Sequence, residues 1–377
     1  MKATGKGPKL LRLNNQKRVL TLLRKLRVTS RQDIAQALLL SKNTVSLIID
    51  EMLEQGLIDE LGPVSVSAAG RPKIEISLRP DKLKSAGIMV EPQVIHWCVC
   101  DYFSRVITES AWHTEATQAT VVLEEIGRCC GEMVEKHPEL IGIALGFPGI
   151  VDPLRGWMHL SFHLGWQDVD LLTPLRHNLA LPLRVMNNVK AAALLSVQHL
   201  NLPAEKSHFY LRVAEGVGGA LVQHGEVFTG NSWMAGEVGH LTVQPHGPHC
   251  GCRRQGCLEA LISQPALEQQ LAQRKAGLNW QQRDSEPDIV EEVMAQAGVF
   301  LGKAISQIML LLNPASIIID CPWNLHPTFC AATRDTTEAD MLSFISERTG
   351  IYFLQERIDP ASGLPLAVIE QYEQRIT

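Results

Sequence analysis

No unbroken run of eighteen apolar residues occurs in the 377-residue chain, so no membrane-spanning helix is expected. Met1 to Asn15 is rich in lysine and glycine and lacks the apolar centre of a signal peptide, which points to a cytoplasmic protein. No period of 20–50 residues repeats and no low-complexity tract occurs, which argues against a solenoid or a biased tail. Charged residues make up 20% against 45% hydrophobic ones, enough apolar material for a sizeable core and too much for extensive disorder. The nine cysteines are odd in number, and three of them crowd into Cys250, Cys252 and Cys257, a pattern that favours metal over disulfides.

The net charge of −5 hides an asymmetry. Residues 1–73 hold 13 Lys and Arg against 6 Asp and Glu, a balance of +7 that leaves −12 for the remainder. A basic head on an acidic body points to a polyanionic partner for the head. Within the head, Lys9 to Arg27 reads as a helix with Val19, Leu22, Leu23 and Leu26 on one side. Thr29 or Ser30 is placed to cap a second helix, Arg31 to Leu38, and Ser41 a third, Lys42 to Gln55, that Gly56 ends. Leu57 to Leu61 and Ile74 to Leu78 read as a pair of strands, completing a winged helix-turn-helix.

Such a head reads DNA by laying its last helix in the major groove, where the first residues meet base edges. Here these are Lys42, Asn43, Thr44 and Ser46, all able to hydrogen-bond, while Val45, Ile48, Ile49, Met52 and Leu53 form the inward stripe. Arg71 and Lys73, at the base of the wing, are candidates for a minor-groove or backbone contact. Beyond Ala86 apolar strands alternate with helices, for example Ile141 to Leu145, Asp288 to Leu312 and Ile317 to Ile319, an α/β pattern.

The most specific chemistry lies between Gly236 and Glu259. Cys250, Cys252 and Cys257, with a histidine, supply four ligands for tetrahedral Zn²⁺, and four protein ligands leave no open position, so the ion would be structural. Gly251 and Gly256 are expected to let the backbone fold closely around it. His240, His246 and His249 all compete for the fourth place, with a modest preference for His240.

The string Glu237-x-x-His240 followed by Cys250-x-Cys252-x4-Cys257-x-Glu259 resembles the signature of the ROK family of repressors, open reading frames and sugar kinases. The winged head resembles its repressor branch, that of the N-acetylglucosamine, glucose/mannose and xylose repressors. Gly146-Phe147-Pro148-Gly149-Ile150-Val151, His163-Leu164-Gly165-Trp166 and Gly216-Val217-Gly218-Gly219 are similar to further family segments, and Asn187-Asn188-Val189-Lys190-Ala191-Ala192 stands where the family has Asn-Asp-Ala-Asn-Ala-Ala. The resemblance spans about residue 9 to about residue 375 and implies an α/β fold: the winged head, residues 1–80, ahead of a two-lobed actin-like ATPase domain of the sugar-kinase type, residues 81–377. Its lobes would be about 81–193 with the C-terminal helix, and about 194–363. The resemblance selects His240 as the fourth metal ligand, and it implies that Asn187, Asn188, Glu237, His240 and Glu259 hold sugar hydroxyls.

Kinase chemistry is not expected. The family's base is the aspartate at the position of Asn188, and an amide takes no proton at neutral pH. The phosphate turn Asp-x-Gly-Gly-Thr is replaced around Glu91-Pro92-Gln93, and a late Gly-Gly pair by Asp320-Cys321. The expectation is a regulator, most simply a repressor of carbohydrate uptake or metabolism genes, that binds a double-stranded DNA operator as a homodimer or homotetramer and responds to a sugar or sugar phosphate. Control by a transporter-subunit protein is the alternative, and an active ROK sugar kinase is the rival.

Overall fold

The computed structural model describes residues 7–64, 73–176 and 179–374. The first helix, α1 (Gly7–Leu26), buries Val19, Leu20 and Leu23. A short strand, β1 (Val28–Ser30), follows, and Ser30 then caps α2 (Arg31–Leu38) by accepting from the Asp33 N–H. Leu39 turns the chain at φ 54°, and Ser41 caps α3 (Lys42–Glu54) through the Thr44 N–H. Gly56 follows at φ +67°, a conformation that favours glycine. Strands β2 (Ile58–Val64) and β3 (Lys73–Leu78) pair antiparallel, and β1 adds to the other edge of β3. Three helices and a hairpin form the winged-helix arrangement, with β1 a strand that the residue pattern does not announce. Ile34, Val45, Ile48, Ile49, Met52, Ile58 and Ile76 fill its core, each fully buried side chain contributing roughly 1.5–3 kcal/mol.

The chain divides into two compact units: Met1–Gly149, Pro153–Met186 and Leu364–Thr377, and Ile150–Asp152 with Asn187–Gly363. In the first, β4 (Lys84–Glu91), β5 (Val94–Cys100) and β6 (Val106–His113) make an antiparallel meander. The helix α4 (Ala119–Lys136) crosses to β7 (Leu140–Phe147), which pairs in parallel with β4. After β8 (Ile150–Asp152), a hairpin of β9 (Trp157–Ser161) and β10 (Trp166–Asp170) and the short α5 (Thr173–Arg176) lead to β11 (Leu183–Asn187), giving the order β11-β7-β4-β5-β6.

The second unit repeats that logic. The helix α6 (Asn188–His199) precedes a meander of β12 (Ser207–Val213), β13 (Val217–Gln223) and β14 (Glu226–Phe228). Helices α7 (Glu259–Ile262), α8 (Gln264–Arg274) and α9 (Pro287–Leu312) lead to β15 (Ser316–Asp320), parallel to β12. Helices α10 (Pro327–Asp340) and α11 (Ser343–Ser346) lead to β16 (Gly350–Phe353), parallel to β15, in the order β14-β13-β12-β15-β16. By length and composition α9 is long and apolar enough to cross a membrane, although no unbroken apolar run of eighteen residues occurs in it. Here Val293, Met294, Leu301, Ile305 and Ile308 of α9 are buried in the core of this unit. Gly302 permits close packing on α10, since a Cβ there would lie 2.8 Å from the Thr333 carbonyl oxygen.

The last helix, α12 (Pro360–Gln374), begins in the second unit and ends in the first. In the first unit its Ile369 joins the head's core together with Tyr102. Arg24 of α1 forms a two-pronged ion pair with Glu373, at 2.7 and 2.9 Å, and the Tyr102 hydroxyl donates to the same carboxylate at 3.0 Å. Burial opposes the charge on Arg24, but Glu373 outweighs it and the guanidinium pKa moves up.

Candidate functional site

Two regions bring polar side chains together. In the head, Lys42 and Asn43 stand exposed at the start of α3. Thr44 is half-buried and its hydroxyl is bonded to Ser41 Oγ at 2.8 Å, so it belongs to the cap. Ser46 is half-buried too, and its carbonyl accepts from Arg31 at 3.4 Å. The residue pattern missed Leu47, one turn beyond Asn43 and 62% exposed, because apolar side chains were assigned to the inner face. An exposed leucine beside an asparagine suits apolar contact with a thymine methyl group.

Lys73 has a partner within the head. Its ammonium is paired with Asp33 of α2 at 2.7 Å and so ties the wing strand to the head in addition to any contact outside the chain. That bond first, and the Ser30 hydroxyl second, hold the Asp33 carboxyl below its usual range. Arg71 lies outside the described residues.

In the second unit, His240 ends a tight turn and meets the cysteine loop. One ligand atom from each of His240, Cys250, Cys252 and Cys257 lies within 4.8 Å of every other. Cys252 and Cys257 sulfurs are 3.6 Å apart, and Cys250 Sγ is 3.6 Å from His240 Nδ1. Ligands at roughly 2.3 Å from a tetrahedral ion stand about 3.8 Å from one another, so donor set and spacing fit a metal. His249 faces outward against Gln255 at 2.9 Å and His246 is exposed, so the rivals for the fourth place lie elsewhere. Burial, then the neighbouring thiols, push Cys257 up to about 12. The Arg254 N–H pulls Cys252 down.

Only one of the two glycines singled out in this loop is sterically required. Gly256 sits at φ +70°, and a Cβ there would lie 1.7 Å from the Gln244 carbonyl oxygen. Gly251 has open space around its would-be Cβ, so the close fold of the loop does not depend on it.

The remaining positions that the family resemblance assigns to a sugar lie at the start of α6 and around β13. Asn187 is the N-cap of α6, its Oδ1 accepting from the N–H groups of Val189 (2.9 Å) and Lys190 (3.2 Å). Asn188 Oδ1 takes the Val189 N–H at 2.9 Å. One oxygen of Glu259 accepts from the Val217 N–H at 3.0 Å, and the other lies 3.8 Å from Cys250 Sγ. Glu237 is exposed to solvent, yet the protein around its carboxyl raises the pKa by desolvation, against His240 and Lys190. Lys190 was passed over in the sequence. It is 7% exposed, and its ammonium donates to the Trp233 carbonyl at 2.5 Å.

At the positions where kinase motifs stand in the family, the first unit has a hairpin in which Glu91 pairs with Val94 and Pro92-Gln93 make the turn, Gln93 at φ 64°. In the second unit the Asp320 carboxylate is held by Arg212 (3.0 Å), Arg357 (3.1 Å) and the Tyr210 hydroxyl (2.5 Å). Burial, then that carboxylate, raises the Tyr210 pKa.

Residues 86–349 match the ROK family. The chain is 26% identical over 310 residues to the DNA-binding transcriptional dual regulator NagC of Escherichia coli (strain K12), covering 77% of this chain and 76% of the relative. It is 24% identical over 384 residues to the xylose repressor of Bacillus subtilis (strain 168), covering 96% and 97%. Its fold is similar to the crystal structure of a ROK family transcriptional regulator, a homolog of the E. coli MLC protein, with a TM-score of 0.81 at 20% identity over 97% of both chains.

Proposed function

This chain belongs to the ROK family, and from that premise we propose that it is a cytoplasmic, sugar-responsive transcriptional regulator that binds a DNA operator. The observation that carries the proposal is the polar, exposed start of α3, Lys42 and Asn43, on a winged head joined to a ROK domain. Asparagine pairs through both amide atoms with adenine, and lysine reaches guanine or phosphate. The repressors and the dual regulator among its relatives support the same reading. A homodimer or homotetramer would place two heads on a palindromic operator, with half-sites about one helical turn, roughly 34–36 Å, or a multiple of it, apart.

His240, Cys250, Cys252 and Cys257 would hold Zn²⁺, which supplies structural cross-linking of the loop when bound. Asn187, Asn188, Glu237, His240 and Glu259 line the region where the sugar would sit. In the present arrangement, Asn187 and Glu259 act first on the backbone of α6 and β13, and so position the others. Asn188 in place of a general base, and Glu91-Pro92 in place of a phosphate-binding turn, support a binding function over phosphoryl transfer.

Genome-wide DNA capture with the purified full chain, with and without a panel of sugars, tests the proposal. Enrichment of a palindrome next to carbohydrate genes, reduced by a sugar, is the expected result, and Lys42→Ala with Asn43→Ala should abolish it. Absence of any enriched sequence overturns the regulator reading. Enrichment that no sugar changes, with a transporter subunit captured from sugar-grown cells, would transfer control to a protein partner.

A further inference from the structure

The buried ammonium of Lys190 is not explained by any role given so far. Lys190 lies in the first turn of α6, two residues after Asn188, and is 7% exposed. Among the described residues its hydrogen-bond acceptor is the carbonyl of Trp233, at 2.5 Å. Among the described residues no carboxylate comes within salt-bridge distance of it, and Glu237 acts on it only from farther away. An ammonium has three donors and a full charge, and burying it without a counter-ion costs several kcal/mol. Such an arrangement persists where something outside the chain completes it.

Three features around Lys190 say what that is. The Trp233 carbonyl is held in place by a loop in which Trp233 itself adopts φ 64° between Gly230 and Gly236, at +71° and +99°. That carbonyl accepts one of the ammonium's donors, and among the described residues no other acceptor bonds it. Next, Asn188, two residues earlier, is an amide where the family has a carboxylate, so the start of this helix carries one negative charge fewer. Finally, the ammonium lies within electrostatic reach of Glu237, a side chain suited to sugar hydroxyls. A cation has been gained and an anion lost within three residues of one helix start.

We propose that the effector is a sugar acid, a hexuronate or hexonate whose carboxylate pairs with Lys190 while its hydroxyls meet Asn188 and Glu237. This rests on the effector-binding reading above and specifies its ligand class. A single ammonium with Glu237 nearby matches a monoanion better than a phosphate dianion, which would face the Glu237 carboxylate with one cation to balance it.

The test is isothermal titration calorimetry of the full chain with glucose, galactose and mannose, with the corresponding hexuronates and hexonates, and with the hexose 6-phosphates. An acidic sugar should bind about ten- to a hundredfold more tightly than its neutral parent, the range for a charge-assisted bond. Lys190→Met should erase that preference and Lys190→Arg should keep part of it, with melting temperatures measured to establish that each variant is folded. A tether role for Lys190 alone would weaken neutral and acidic sugars alike. The proposal is overturned if neutral sugars or 6-phosphates bind as tightly as the acids, if no sugar acid binds, or if Lys190→Met retains the preference. DNA capture by the ligand-free protein separates the two claims. Sugar-acid binding without operator binding sinks the regulator and leaves Lys190 its role, whereas operator binding without sugar-acid binding sinks this inference alone.

Discussion

At Gly256 a single hydrogen is all that the fold admits. A Cβ would meet the Gln244 oxygen at 1.7 Å, and φ +70° is already unfavourable for an L side chain. Gly256→Ala should therefore cost more than about 2 kcal/mol in a urea titration, whereas Gly251→Ala, in open space, should cost less than about 1 kcal/mol. The sulfurs beside it give a second expectation at this scale. Protein prepared in zinc should release one zinc per chain to a strong chelator, with a fall in melting temperature of at least about 5 °C, and Cys257→Ser should reproduce the fall without chelator. Retention of the melting temperature after complete chelation would remove the metal from the account of stability. The cysteines were legible from their spacing alone. The choice of His240 over His246 and His249 comes from the family resemblance and not from spacing, because all three lie within ten residues of Cys250 and the path of the backbone is what brings His240 to the sulfurs.

At the scale of elements, the head shows how far local chemistry reaches. Ser30 and Ser41 cap the helices that follow them, and Gly56 follows the third, as short-range hydrogen bonding and backbone freedom require. Ser41→Ala should lower stability by about 1 kcal/mol and weaken operator binding, since the same cap orients Lys42 and Asn43. Lys73 is the counter-example. Its sequence position beside a wing suggests a DNA contact, while the pairing of β3 with β2 and β1 carries its ammonium to Asp33. Asp33 is held below its unfolded pKa, so its contribution is present above the unfolded value near 3.8 and is lost as pH falls through the lower folded value. Both side chains are about 40% exposed, and the pair is worth less than about 1 kcal/mol. Wild type and Lys73→Met should differ in denaturation midpoint at pH 6 and converge toward pH 3. An equal difference at both pH values would refute the pairing.

At the scale of the whole molecule, the head is fastened to the rest of its unit by Arg24, Glu373 and Tyr102, residues far apart in the chain. Arg24 and Glu373 side chains are 12% and 6% exposed, so removing one partner strands a buried charge. Arg24→Met and Glu373→Leu should each cost about 3–5 kcal/mol in chemical denaturation, and the double variant should recover most of the loss, because an apolar pair of similar volume replaces a buried ion pair at little cost. Additive losses in the double variant would show that the two residues are not partners. Because α12 starts in the other unit and ends at this ion pair, the variants also test whether operator affinity depends on the junction.

The sequence by itself determined the elements whose cause is local: capped helices, alternating strands, a basic head, and the cysteine spacing that marks the family. It also placed Asn188 and the Glu91-Pro92 turn, since these are identities and not arrangements. Only the tertiary structure decided what depends on residues distant in the chain. The repeated five-strand order of the two units left no repeat in the residues, because burial on both faces of a sheet asks for apolar side chains and not for particular ones. Lys190 reads as one cation in an alanine-rich helix, but folding buries it against the Trp233 carbonyl with no carboxylate in salt-bridge distance among the described residues, and a strand pairing brings Lys73 to Asp33. A charge is written in the sequence, but its partner is chosen by the fold.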